Sequence, residues 1–580
     1  MRSINKLIHE YDVVVVGGGI AGLYTALTAS EQCKVAVVSK VHVMRSHSVA
    51  AQGGIAASIG NEEEDHWEWH MYDTVKGSDY LADQDAVKIL TKEAPNAVIA
   101  LEHMGVPFTR NKQGKIEQRR FGGHTKKYGE GPVKRACYVS DRTGRAIMDT
   151  LYDCCQVKGI DFFNEVFVLK LLFSGAHCCG VAGYDIANLL PQIFHANSIV
   201  LATGGGGKIY KTTSNGFAST GDGFALALDS LIPLQDMEFV QFHPTGIYGL
   251  GILISEAARA EGGILRNGLG ERFMERYAPT LKDLAPRDIV SRAILNEINE
   301  GKGVDGKDFV YLDLTQMGKE QLTLKLPEIS SFVQTYLGID PNETPIPVAP
   351  TCHYIMGGIP TDQDGHVLSN ERGVILDGLF AVGECACVSV HGANRLGCNS
   401  LIDLIVFGRR TGISAADHTR EKELPPLPQQ AENIVRDTIN NLIDSSGKES
   451  VSELRETMQQ TMTNACSVFR NSDELEKAKE QICQLKKRYL DVCLRNKSKT
   501  FNYELLELLE LINMLKVAEA IVFSAIQRKE SRGAHYRSDF PERNDEQWLK
   551  HSLVYVTPEG FRINYRPADI AWFKPEKRRY

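Results

Sequence analysis

The hydrophobic pattern is most informative at the start of the chain. Tyr11–Val16 is an apolar run ending in four valines, and a glycine cluster, Gly17–Gly22, follows it. A short β-branched run closed by glycine reads as a strand buried on both faces. Leu23–Ser30 then reads as a helix and Lys34–Val38 as a second strand. Strand, glycine turn, helix and strand open a doubly wound nucleotide-binding fold. Two later β-like runs also end in glycine: Ser198–Ala202 before Thr203-Gly-Gly-Gly-Gly207, and Leu379–Val382 before Gly383-Glu384. They lie far apart, so the nucleotide domain is expected to be interrupted by an insertion at residues 236–350. After Pro425-Pro-Leu-Pro428 glycine becomes scarce and a helical period takes over. The spacing predicts helices over 429–444, 451–470, 473–494 and 503–529. In the last of these Leu505, Leu508, Leu509, Ile512 and Leu515 form one apolar stripe, as in a bundle helix. From 534 onward Pro, Asp and aromatic residues return, and an extended tail is expected. No fixed-period repeat is visible.

Composition narrows the class. A chain of 580 residues corresponds to about four pieces at ~150 residues per domain. Hydrophobic residues at 43% and charged residues at 24% are globular usage, which excludes a disordered, collagenous or fibrous chain. The net charge of −8 weighs against nucleic-acid binding. No uncharged apolar run reaches the ~18 residues of a membrane span; the best candidate, Leu505–Ile526, is broken by Glu507, Glu510, Lys516 and Glu519. The N-terminus carries Arg2 and Lys6, but its apolar run is only Val13–Val16, so neither a signal nor a transit peptide is expected. The 13 cysteines contain no CxxC; the closest spacings are Cys154–Cys155, Cys178–Cys179 and Cys385 with Cys387. Reduced thiols are expected, with no metal ligands and no iron–sulfur pattern.

Gly17-x-Gly19-x-x-Gly22 carries the logic of a pyrophosphate site. The first glycine permits the tight turn, the second lets phosphate approach the backbone, and the third lets the helix pack on the strand. The helix N-terminus then faces the anion. The second strand ends at Ser39-Lys40, where an acidic ribose partner is usual, so NAD is not favoured over FAD.

Ser46-His47-Ser48 followed by Gln52-Gly53-Gly54 resembles the covalent flavin segment of the succinate dehydrogenase/fumarate reductase flavoprotein family. Further motifs of that family follow in order: Phe121-Gly-Gly123, Asp141-Arg-Thr-Gly144, Thr220-Gly-Asp-Gly223, Gln241-Phe-His-Pro-Thr-Gly246, Glu271–Pro279 and Arg287-Asp288. They continue with His353-Tyr354, Gly357–Pro360, Gly383-Glu384, His391–Arg395, Asn399-Ser400 and Glu530–His535. The resemblance runs over residues 10–560.

It implies an α/β fold: a split Rossmann-like FAD-binding domain (1–235 and 351–420), an inserted α+β capping domain (236–350), a helical bundle domain (428–533) and a C-terminal domain or tail (534–580). It implies FAD attached covalently through His47, with pyrophosphate on Gly17, Gly19 and Gly22. Ser39, Lys40, Ser46, Gly53, Gly54, Asp222, Glu384, Ser400 and Leu401 match further flavin contacts. The implied substrate is a C4 dicarboxylate held by His243, Ser255, His353 and Arg395, with Phe121 and Gln52 beside it. Arg395 can clasp a carboxylate in bidentate fashion. Arg287 matches the proton-transfer residue, with Glu256 and Arg259 as relay. Their i, i+3 spacing also fits a plain helix salt bridge. Free arginine titrates at ~12.5–13.8, so this role comes from the resemblance alone.

The implied activity is a succinate dehydrogenase, a succinate:quinone oxidoreductase of the tricarboxylic acid cycle. Electrons would leave through a separate iron–sulfur subunit and a membrane anchor that binds quinone. A flavinylation assembly factor is a further implied partner. The implied place is peripheral, on the cytoplasmic face of a bacterial inner membrane, or on the matrix face for a mature mitochondrial chain. A fumarate reductase would run the reaction backwards. Gln52 favours the dehydrogenase, since quinol-linked bacterial reductases of the family often carry Glu there. L-aspartate oxidase lacks the covalent histidine. A non-catalytic module acting on nucleic acid would need a basic face, and only Lys574–Tyr580 is basic, which reads as a solvated end. Ser255, Ala257, Ala260 and Cys398 depart from the family's usual letters, Ser255 keeping the hydroxyl and Cys398 standing for Gly near the expected flavin.

Overall fold

The computed structural model describes residues 7–420 and 422–579; Arg2, Lys6 and Tyr580 lie outside the described residues. The glycine-ended runs are neighbouring strands. Within β1 (Ile8–Val16), Val13–Val16 pair in parallel with Val35–Val38 of β2 (Val35–Ser39). β2 also pairs in parallel with β3 (Asp161–Asn164). The hairpin β4 (Val166–Ser174) and β5 (His177–Asp185) joins the sheet antiparallel to β6 (Pro191–Leu201). β6 lies parallel to the other side of β1. Val14 and Val16 feed one core and Val13 and Val15 another, which is why the run is apolar without alternation. Burying one such side chain is worth about 1.5–3 kcal/mol.

Helix α1 (Ile20–Ala29) leaves β1 through Gly17, whose φ of +119° suits glycine alone. A Cβ on Gly22 would stand 2.0 Å from the Gly17 carbonyl oxygen, so helix and turn touch backbone to backbone. Nine of the ten α1 residues are buried.

Between residues 240 and 355 the chain forms a separate antiparallel sheet. Its strands are β7 (Val240–Ile247), β8 (Ile264–Arg266), β9 (Val310–Asp313) and β10 (Ile346–Ile355), in the order β7–β10–β9–β8. Ile254, Leu265, Phe273, Val290, Leu312 and Val348 give this layer its own core. Helices α2 (Asp222–Asp229), α3 (Ala257–Ala260) and α4 (Arg287–Glu297) approach the junction of the two sheets. Ser291 of α4 donates to the Phe242 carbonyl of β7 at 2.9 Å. The chain then returns to the first sheet with β11 (His366–Leu368) and β12 (Ile375–Ala381), where Leu379–Ala381 pair in parallel with Ile199–Leu201. Helix α5 (Asn399–Thr419) follows and receives a hydrogen bond from α1, Thr25 Oγ1 to the Gly408 carbonyl at 3.1 Å.

The helical part holds α6 (Ala431–Ile443), α7 (Val451–Ala465), α8 (Ser472–Tyr489) and α9 (Tyr503–Gln527). α7 stops five residues before the predicted end, because Phe469–Arg470 pairs with Tyr536–Arg537 as a two-stranded ribbon. In α9 the burial is broader than one stripe. Ile512 is half-buried, while Glu510, Leu511, Val517 and Ile521 are buried as well, since the helix sits between the bundle and the nucleotide sheet. The expectation of an extended tail fails: Lys550–Thr557 and Gly560–Pro567 form a hairpin that also pairs with Leu234–Gln235. The segment Glu530–His535 is a buried ion cluster, with Glu530 Oε1 accepting from Arg528 Nη1 at 3.0 Å and Arg532 Nε at 2.8 Å.

Gly22→Ala should destabilise the apo chain by about 1–3 kcal/mol through overpacking against the Gly17 carbonyl, read as a lowered midpoint in thermal unfolding.

Candidate active site

The carboxyl ends of β1, β2, β6 and β12 open on one side into a cavity of about 1680 Å³, part of it open to solvent, roofed by the inserted sheet. Ligands of open α/β sheets bind at this edge. Of the candidate catalytic, substrate and flavin residues, all line this cavity except Gly22, which lies beneath the turn, and Arg259, which lies behind Glu256.

One end of the cavity suits a dinucleotide. At the N-terminus of α1 the Ile20 N–H donates to Ser48 Oγ at 3.2 Å, and a Cβ on Gly19 would meet only that hydroxyl, at 3.1 Å. A helix N-terminus beside an open backbone fits pyrophosphate. α5 begins at Cys398, whose φ is +65° and whose side chain makes no cap. Lys40 and Asp222 both line the cavity. The Lys40 ammonium donates to Thr220 Oγ1, Asp222 Oδ2 and Glu510 Oε1, each at 2.7 Å. It therefore orders Asp222 and ties α9 to β2. Burial pushes the Glu384 carboxyl up to about 7, so it can donate as well as accept near neutrality. These features fit FAD.

His47 projects into the middle of the cavity. The Gly216 N–H donates to its Nδ1 at 3.2 Å, and Asn215 Nδ2 approaches Nε2 at 3.5 Å. Burial, then the Lys208 charge, holds its pKa down to about 4. The ring is thus a neutral imidazole at physiological pH. Asn215 also donates to the His353 carbonyl at 2.8 Å, joining the His47 segment to β10.

The other end is cationic. Arg287 Nη1 and Arg395 Nη2 donate to the same oxygen, Gln241 Oε1, at 3.0 and 3.3 Å. Arg395 also lies over the Tyr354 ring, 4.3 Å from its centroid. Burial, then the charge of Arg287, lowers its pKa to about 10. Arg287 Nε donates to Glu256 Oε2 at 3.0 Å, and Arg259 Nη2 lies 3.8 Å from the same oxygen. Glu256 Oε1 accepts from the Gly122 N–H at 2.6 Å. Two guanidiniums thus flank the Glu256 carboxylate, and Arg395 adds a third cation whose guanidinium meets the neutral Gln241 oxygen.

Neutral donors complete this end. His243 Nδ1 accepts from the Thr245 N–H at 3.2 Å, which leaves the ring proton on Nε2; that buried nitrogen has no partner. Burial and then Arg287 hold His243 well below the usual range, and the same two causes act on His353. The His353 and His243 rings lie 5.1 Å apart, and His353 Nδ1 meets Ser214 Oγ at 2.7 Å. Ser255 Oγ accepts from the Ala257 N–H at 3.1 Å, so its hydroxyl proton stays available. Gln52 Oε1 accepts from the Ser255 N–H at 3.2 Å. Phe121 packs against Gly53 and Gly397. The Cys398 thiol is pushed up to about 12 by burial, then by Glu256, so it is not a thiolate.

Sequence reading missed Gln241, Asn394, Asn215 and Arg119 as site residues. Arg119 clamps the flavin loop, its Nε donating to the Gly53 carbonyl at 3.1 Å and one Nη to the Gln52 carbonyl at 3.3 Å. Gln241 and Asn394 stood inside quoted motifs, which was the only signal for them.

A split doubly wound domain with an open glycine cradle, facing a polar pocket under an inserted sheet, defines an FAD-dependent oxidoreductase. A family model described as FAD binding domain matches residues 12–401, and one described as Fumarate reductase flavoprotein C-term matches residues 455–580. The succinate dehydrogenase flavoprotein subunit of Rickettsia bellii is 47% identical, covering 99% of this chain and 98% of its own. The mitochondrial succinate dehydrogenase [ubiquinone] flavoprotein subunit of Oryza sativa is 46% identical, covering 100% and 94%. The solved structure of E. coli quinol fumarate reductase FrdA superposes with a TM-score of 0.92 at 38% identity, covering 99% of each chain. The chain belongs to the succinate dehydrogenase/fumarate reductase flavoprotein family, and its chemistry is oxidoreduction of the succinate/fumarate type.

Two outcomes follow from this geometry. Gly19→Ala should leave apo stability within about 0.5 kcal/mol yet impair FAD loading, read as flavin absorbance per chain. The buried histidines His70, His124, His243 and His535 have lowered pKa values, His124 at about 3 through burial and Arg135. They stay neutral when folded and protonate when unfolded, so their stabilisation is complete above pH ~6.5 and falls as pH drops toward the folded values. By pH 5 a histidine held near 3 has given up about 2 kcal/mol. Denaturant midpoints at pH 7.5, 6 and 5 should fall in that order, and less steeply in His124→Gln.

Proposed function

We propose that the chain is the flavoprotein subunit of a succinate dehydrogenase and oxidises succinate to fumarate. The observation that carries this reading is the pair of guanidiniums, Arg287 and Arg395, that converge on one neutral amide oxygen next to the unpartnered Nε2 of His243. That pocket calls for a small dianion, and it adjoins the flavin cradle. Arg395, His243, His353 and Ser255 converge as donors for the two carboxylates. Bound FAD supplies the hydride acceptor. Arg287 gives its Nε proton to Glu256, 3.0 Å away, and takes one from the substrate carbon in its place; Arg259 is the next member of the relay. Loss of one hydride and one proton leaves fumarate.

The neutral ring of His47 is the group we assign to the covalent flavin bond. Gln52, hydrogen-bonded beneath Ser255, favours succinate oxidation over fumarate reduction as the working direction. The names of the Rickettsia and rice relatives support that choice, while the E. coli structure carries the reductase name. No described helix is long and apolar enough to cross a membrane. An iron–sulfur subunit and a quinone-binding membrane anchor are therefore proposed as partners, with an assembly factor for flavinylation. The proposed place is peripheral, on the cytoplasmic face of a bacterial inner membrane or the mitochondrial matrix face.

Arg287→Ala should lower succinate-to-dye turnover by about 10²–10⁴-fold; undiminished turnover would remove the proton-transfer role. Acid precipitation should leave the flavin with the protein, and flavin released to the supernatant would remove the bond at His47. Anaerobic rates in both directions, measured with the iron–sulfur partner, should favour succinate oxidation.

A further inference from the structure

The basic segment Lys574–Tyr580 reads from sequence as solvated; Lys574, Glu576, Lys577 and Arg579 are exposed, and Arg578 is the exception. Residues 569–573 are pinned to the start of the helix Gln84–Met104. Gln84 Nε2 donates to the Phe573 carbonyl at 2.8 Å, and Gln84 Oε1 accepts from the N–H groups of Trp572 and Phe573 at 2.8 and 2.7 Å. Five residues further on, Arg578 bridges two carboxylates. Its Nη2 lies 2.7 Å from Asp288 Oδ2 and its Nε 3.1 Å from Asp79 Oδ1.

Asp288 sits in the first turn of α4, next to Arg287. Its other oxygen, Oδ1, accepts from Asn394 Nδ2 at 3.2 Å. Asn394 Oδ1 accepts from Gln241 Nε2 at 2.9 Å. Gln241 Oε1 is the oxygen that Arg287 and Arg395 share. A continuous chain of hydrogen bonds thus leads from the C-terminal segment to both site arginines. With its NH₂ held by Asn394 Oδ1 and by the Arg395 carbonyl at 2.8 Å, the Gln241 amide can offer only its oxygen to the guanidiniums; Asn394 Nδ2 in turn is shared between Asp288 and the Gly77 carbonyl at 3.1 Å. Without Arg578, Asp288 keeps Arg292 Nη2, at 2.9 Å, as its one cationic partner among the described residues.

We propose that Arg578 is a positioning residue for the substrate site: docked on Asp288, it holds the Asn394–Gln241 amide pair that keeps Arg287 and Arg395 in register. The inference rests on the dicarboxylate reading given above. Because Gln241 serves both arginines, loss of Arg578 acts on substrate binding and on turnover together. A tail that merely adds stability would move neither once the protein is folded and loaded with flavin.

The test uses the flavin-loaded chain in complex with its iron–sulfur partner. Arg578→Met keeps the aliphatic stem and removes the guanidinium. Arg579→Ala removes the same charge from the adjacent, exposed side chain. The readouts are flavin per chain, the malonate Kd from the perturbed flavin absorbance, and KM and kcat for succinate oxidation. Arg578→Met should raise the malonate Kd and KM and lower kcat, each by about three- to thirty-fold, at unchanged flavin content. Arg579→Ala should match the wild type. Wild-type Kd, KM and kcat per flavin in Arg578→Met overturn the proposal, whatever its melting temperature. Should that variant fail to accumulate, Arg578→Lys, which can reach only one of the two carboxylates, is read in the same way. A wild-type protein that binds no malonate and shows no succinate-dependent flavin bleaching overturns the dicarboxylate reading itself, and the proposal with it.

Discussion

Gln241 offers one amide oxygen to two guanidiniums, those of Arg287 and Arg395. Buried charges that lack an opposite partner are expensive, and here Arg287 and Arg259 share one carboxylate, Glu256, while the Arg395 guanidinium meets only an amide oxygen. The rest of the structure makes that arrangement tolerable. An aromatic face lies against Arg395, and a backbone N–H and two arginines hold Glu256 in place. Arg287 and Arg395 meet each other across a neutral oxygen, which leaves that end of the pocket suited to an anion. Affinity and catalysis draw on the same two arginines.

No single layer could build this. Gln241 and His243 come from the inserted sheet, Arg287 from the helix packed on it, and Arg395 from the loop before α5. The pocket exists only where the two sheets meet, at the edge where parallel strands already expose their carboxyl ends. The nucleotide end is tied in from a third direction, because Lys40 bonds at once to Asp222 of α2 and Glu510 of α9. Burial in α9 is broad for that reason.

The sequence made the nucleotide fold legible where physics is local. Val13–Val16, the Gly17–Gly22 turn and the long helices after Pro428 announce themselves within a few residues. The substrate site was legible only through resemblance, since His47, His243, Arg287 and Arg395 are separated by dozens to hundreds of positions and no periodicity joins them. The amides Gln241, Asn394 and Asn215 were missed because an amide looks the same in sequence whether it faces water or orders a pocket. The C-terminal hairpin was legible but passed over: Pro558-Glu559-Gly560 is a turn signal between two β-rich runs. The acid–base cluster Glu530–His535 showed itself as a motif, and only packing revealed it as buried structure.

Exposed polar stretches are ordinarily forgiving, and changes in them go unnoticed. Arg578 is an exception inside one: Lys577 and Arg579 are exposed, while its guanidinium is wedged between Asp79 and Asp288, the residue after Arg287. The spacing from Phe573, pinned at Gln84, to Arg578 is therefore fixed like the length of a loop. An insertion or deletion between them is a change to the interior, whereas a substitution at Lys577 or Arg579 is a change to the surface.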